Sequence, residues 1–105
     1  MELHRTGSIS FRGLSVQEVM RLAGEACKCG VAYFPPGSAI PENGYTSHDA
    51  DEVSFIIEGS LRVESGGETF QAGPGDMCHI PRGEDHRSAN LGHEPCRLAW
   101  FLLDL

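Results

Sequence analysis

A chain of 105 residues with 40% apolar and 22% charged side chains is sized for one globular core, which excludes disorder as its global state. The formal charge of −7, with Lys28 as the lone lysine and the arginines scattered, leaves no basic stripe; nucleic acid and anionic membrane are excluded as partners. No stretch approaches the roughly 20 apolar residues of a membrane span, and Met1 to Arg12 lack a secretory apolar region, so a cytoplasmic location is expected.

The first predicted element is a short helix from about Val16 to Ala23. Ser15 and Glu18 have the spacing of a capping box, and Val16, Val19, Met20 and Ala23 recur at near-helical intervals before Gly24. A strand is the competing reading there. Cys27 and Cys29 then alternate as small hydrophobes on a strand would, since no second ligand pair accompanies them to make a zinc site. Together with Cys78 and Cys96 they are expected to remain thiols.

From residue 31 onward the pattern is that of an all-β barrel or sandwich. Val31 to Phe34 stops at Pro35-Pro36-Gly37, and Thr46 to Glu58 runs to Gly59-Ser60. Leu61 to Ser65, Gly66-Gly67 and Glu68 to Ala72 read as a hairpin. Further strands are predicted over Met77 to Ile80, Arg87 to Asn90 and Arg97 to Leu103. No linker or repeat interrupts the chain, so one domain over residues 1–105 is expected, with the barrel core at about 31–103.

Two segments carry candidate chemistry. The first holds Thr46, His48, Ala50 and Glu52, whose common parity would aim them at one face of a strand, with Gly59 seven residues beyond Glu52. Ser54 falls on the same face. The second reads Gly75, Pro81, Gly83, His86, Asn90, with Pro81 and Gly83 bending the chain so that a new strand starts near His86.

The second segment resembles the cupin superfamily, reproducing G-x5-P-x-G-x2-H-x3-N at every fixed position. The first resembles the other cupin motif less completely, because Thr46 stands where the family has its first histidine. The resemblance implies a double-stranded β-helix, or jelly-roll barrel, with the short N-terminal helix added to it. It also implies a divalent metal ion held by His48, Glu52 and His86. Two histidines and one carboxylate with open positions suit Fe, and Mn, Zn or Ni are compatible. Thr46 and Ser54 are expected to line the pocket, Thr46 orienting a water in the vacant ligand place.

His79 lies on the strand before the Pro81 bend. Facing inward, it would be a fourth ligand or a general base; facing outward, it is a polar surface residue. Glu52 is the base if no metal is bound. Asp49 and Asp51 fall on the opposite parity and are expected to face solvent, as are His4 and His93.

The function implied is a metal-dependent enzyme, either a dioxygenase or a lyase/isomerase, acting on a small oxygen-rich organic molecule in the barrel mouth. The alternatives are a non-catalytic ligand-binding or sensor barrel and a metal-free isomerase. A homodimer is expected, because short barrels leave sheet edges and faces to cover, with Met1 to Phe11 available as a swapped strand.

Overall fold

The computed structural model describes residues 1–8 and 12–105. Its strands are β1 (Ser15–Leu22), β2 (Cys27–Phe34), β3 (Ala39–Ile40), β4 (Asp51–Glu58), β5 (Leu61–Ser65), β6 (Glu68–Ala72), β7 (Met77–Ile80), β8 (His86–Ala89) and β9 (Cys96–Leu103). Two sheets face each other, one of five strands in the order β1-β2-β9-β4-β7 and one of four in the order β3-β8-β5-β6. Every pairing is antiparallel. This is the all-β jelly-roll arrangement, in which short strands alternate inward and outward side chains around one core.

The β5–β6 hairpin shows how local sequence sets a join. Leu61 and Val63 point inward and are buried, while Arg62 points out. Gly66 and Gly67 between the strands have φ of 58° and 81°, the paired positive values of a type I′ turn.

The expected helix over Val16 to Ala23 is absent: those residues lie mainly in β1, paired along β2 from Ser15↔Tyr33 to Leu22↔Cys27. The register shifts between Glu18 and Met20, so Val19 is an extra, bulged residue. That bulge resets the two-residue alternation and gives Val16, Val19 and Met20 their helical-looking spacing. Glu18 bonds Arg21 at 2.7 Å instead of capping a helix. An eight-residue helix is marginal alone, whereas the edge of β2 offers a full ladder of backbone partners. Gly30 in β2 permits the close approach, because a Cβ there would lie 1.9 Å from the Gln17 carbonyl oxygen and 2.8 Å from the Trp100 ring.

At the N-terminus the described residues include one 3-10 turn at Thr6–Ser8. The swapped strand expected over Met1 to Phe11 falls partly on residues 9–11, outside the described residues.

Phe34, Ile56, Leu61, Val63, Ile80, Leu98 and Trp100 form the core between the sheets. Burial of each such side chain contributes about 1.5–3 kcal/mol. The cross-strand rows Ala32–Leu98–Ile56 and Trp100–Ser54 define the inner face of the large sheet. The intervening rows, Val31–Ala99–Phe55 and Phe101–Val53–His79, therefore face outward.

Candidate metal centre

Three segments bring three candidate ligands to one end of the barrel. Glu52 is the second residue of β4, between β9 and the edge strand β7, and shares a row with Leu102 and the buried Ile80, so it points inward. His86 opens β8, directly after the bend formed by Pro81 to Gly83. His48 lies in the irregular segment before β4, where its carbonyl accepts the Gly83 amide at 2.8 Å. One bend thus braces both histidine-bearing segments.

The expected common strand through Thr46, His48 and Glu52 is not what assembles the set. Regular pairing begins only at Asp51, and Thr46 is held instead by an isolated bridge to His86.

His48 Nε2 lies 3.6 Å from Glu52 Oε1, and His86 Nε2 lies 3.8 Å from Glu52 Oε2. One donor atom from each of the three residues lies within 4.8 Å of the others. The two imidazole rings are 5.1 Å apart and inclined at 48°. Exposure is graded, with side-chain values of 6% for His86, 20% for Glu52 and 36% for His48, so the set opens toward the His48 side. Two imidazole nitrogens and a carboxylate converging on one point suit a borderline divalent ion.

His86 Nδ1 is 3.1 Å from the Glu84 carbonyl oxygen. A carbonyl can only accept, so this contact is a hydrogen bond when Nδ1 carries the proton, and that tautomer leaves Nε2 available to an ion.

The trio lines a cavity of about 280 Å³. Thr46, Ser54 and Ser88 present hydroxyls to it, and Phe34, Ile40, Leu98 and Trp100 supply apolar walls. Trp100 Nε1 donates to the Val31 carbonyl at 3.2 Å, so only the hydrocarbon part of its ring remains for a ligand. Among the described residues no Lys, Arg or Asp lines this cavity. Thr46 and Ser54, expected to line a pocket, are among the residues around this cavity. Ser88 was missed, since only the β8 register, with Ser88 two residues beyond His86, reveals its direction.

His79 is not brought to the centre. It pairs with Val53 on the outward rows, its side chain is 59% exposed, and Nε2 lies 3.0 Å from Asp51 Oδ1. It borders a separate cleft of about 460 Å³ at the seam between β6 and β7, which holds none of the three ligands. The roles of fourth ligand and inward-facing base are not supported by this placement. The hydrogen bond from His79 holds the Asp51 carboxyl below the usual carboxylate range. Asp49 and Asp51 both face solvent and pair with Arg82 and His79.

The four cysteines are free thiols. No helix among the described residues is long and apolar enough to cross a membrane.

A family profile described as the cupin domain matches residues 30–102. The chain belongs to the cupin family. Among curated proteins, this cupin is 33% identical over 76 residues to the polyketide synthase protein CurC of Streptomyces cyaneus, covering 72% of the chain and 48% of that protein. It is 30% identical over 70 residues to the tetracenomycin polyketide synthase protein TcmJ of Streptomyces glaucescens, covering 67% of the chain and 46% of that protein. The chain thus spans about half the length of these relatives. Among solved structures, TT1209 of Thermus thermophilus superposes with a TM-score of 0.82 at 21% identity, covering 98% of this chain and 97% of that one. A protein of unknown function from Rhizobium leguminosarum superposes with a TM-score of 0.82 at 23% identity, covering 100% and 98%. At such identities these two establish the fold alone.

Proposed function

We propose that this cupin is a metal-dependent enzyme acting on a small, oxygen-rich and largely apolar organic molecule of the polyketide kind. The observation that carries the reading is the convergence of His48, Glu52 and His86 at the end of a cavity whose remaining walls are apolar or hydroxyl-bearing. When bound, the ion supplies a Lewis acid that polarises a substrate oxygen. His48, Glu52 and His86 hold it. Thr46, Ser54 and Ser88 offer hydrogen bonds to further substrate oxygens, and Leu98 and Trp100 exclude water from the hydrocarbon face. The absence of lining Lys and Arg among the described residues disfavours phosphorylated or polyanionic substrates, which would enter without a counter-charge. The polyketide class is taken from the names of CurC and TcmJ. Dioxygenase and lyase/isomerase chemistry both fit this arrangement.

The test is to load the protein with Fe(II), Mn(II), Zn(II) or Ni(II) in turn and offer phenolic and 1,3-dicarbonyl compounds, with and without O2. Product formation is followed by liquid chromatography and mass spectrometry. Turnover lost in His86→Ala supports the enzyme. Binding without turnover under every metal supports the second reading, a non-catalytic ligand-binding barrel. The outward position of His79 favours that alternative, because among the described residues it leaves the cavity without an ionisable side chain other than the three candidate ligands.

We also infer that a second copy covers the outer face of the five-stranded sheet. Phe55, Phe101 and Met77 are exposed there, on the side opposite the core. A contiguous exposed apolar patch on a sheet face marks an interaction surface. Light scattering at working concentration is expected to give twice the chain mass; the monomer mass overturns it.

A further inference from the structure

Glu84 does not line the candidate ligand cavity, yet its two ends are both engaged beside it. The carbonyl oxygen receives His86 Nδ1 at 3.1 Å. The side-chain carboxylate accepts the Ser65 hydroxyl at 2.6 Å. Ser65 is itself buried and stands opposite His86 in the β5–β8 ladder. The carboxylate occupies the space over the bare Cα of Gly66, where a Cβ would lie 2.7 Å from Glu84 Oε1 and 2.8 Å from its Cδ. Two backbone bonds complete the anchorage, from the Glu84 amide to the Pro81 carbonyl at 3.1 Å and from the Gly66 amide to the Asp85 carbonyl at 3.2 Å. The β5–β6 hairpin, distant in sequence, thereby clamps the two residues that precede His86.

We propose that Glu84 is the positioning residue of the metal centre: bolted to Ser65 over Gly66, it holds its carbonyl where it fixes the His86 ring as the Nδ1–H tautomer, with Nε2 bare toward Glu52. This rests on the metal reading above for its consequence, but not for its geometry. A free imidazole exchanges between tautomers and rotates about its side-chain bonds. Each arrangement that does not aim a bare nitrogen at the ion subtracts from affinity, and removing such an outer partner typically costs about 10–100-fold. The second motif fixes only Gly83 and His86 around this position. The Ser65–Glu84 contact is supplied by this chain's own residues.

The test pairs two readouts on Glu84→Ala, Ser65→Ala and Glu84→Gln. The first is the imidazole nitrogen spectrum of His86 in metal-free protein at about pH 8, where an ordinary histidine is neutral and its tautomer can be read. The second is Zn(II) or Co(II) affinity by competition with a chromophoric chelator. The wild type is expected to show the Nδ1–H form. Glu84→Ala and Ser65→Ala are expected to mix the tautomers and weaken affinity by about tenfold or more. Glu84→Gln, which still accepts from Ser65, is expected to stay within about threefold of the wild type. A folded wild type in the Nε2–H form, or an alanine pair with unaltered tautomer, overturns the proposal. So does a Gln variant as defective as the Ala variant. Should Glu84→Ala not fold, Ser65→Ala and Glu84→Gln carry the comparison. A wild type that binds neither ion would defeat the metal reading while the tautomer readout still decides the role of Glu84.

Discussion

Thr46 and His86 face each other across a two-bond bridge, the Thr46 amide donating to the His86 carbonyl at 3.0 Å and the His86 amide to the Thr46 carbonyl at 2.8 Å. Directly opposed residues on antiparallel chains send their side chains to the same face, so a ligand at position 46 would stand beside His86. Thr46→His is therefore expected to complete a four-ligand set and raise Zn(II) or Co(II) affinity by at least about tenfold, measured by chelator competition. Unchanged affinity with the fold intact would mean that position 46 does not address the ion.

Asn90, the last residue of the second motif, is fully buried and its side chain bonds three backbone groups, tying the end of β2 to the turn before β9. Its Nδ2 donates to the Phe34 carbonyl at 2.9 Å and the Glu94 carbonyl at 2.8 Å, and its Oδ1 accepts the Gly92 amide at 3.0 Å. Asn90→Ala leaves those groups without partners and opens a small void. A loss of about 2–4 kcal/mol in urea unfolding is expected, with little change in metal affinity for the folded protein.

The motif residues were legible because each is demanded by backbone shape or chemistry at a fixed spacing. Gly75 and Gly83 have φ of 87° and 76°, which favour glycine, and His86 and Asn90 follow at set distances. His48 and Glu52 were found for a partly mistaken reason, since a loop braced by Gly83 brings them together and strand parity does not. The β1 strand was misread because the bulge at Val19 disguises its period. The direction of His79 was closed to inspection, as Phe55 and Ile56 are both apolar although only Ile56 faces the core. Ser65 and Glu84 are close only in space, and nothing in their sequence separation signals that contact.

Cys96 is buried within the core, and burial pushes its thiol up to about 11. An unfolded thiol titrates near 8.5, so the folded state retains a proton that the unfolded state releases over the interval between. Folded pKa lies above unfolded pKa; stability is therefore fully present below about pH 8.5 and declines as pH rises toward 11. Thermal melts across that range are expected to show a smaller decline in Cys96→Ala than in the wild type. At pH 8, Cys96 should also resist thiol reagents until the protein unfolds, and rapid native labelling of this residue would contradict its placement.

The central claim, that His48, Glu52 and His86 form a metal centre, is tested most directly by divalent-ion affinity and stoichiometry. Metal-free wild type and His86→Ala are to be titrated with Zn(II) and Co(II) against a competing chelator, folding being confirmed by circular dichroism. The account predicts one ion per chain in the wild type and an affinity at least about a hundredfold weaker in the variant. A folded wild type that takes up no ion, or a variant that binds as tightly, would contradict it.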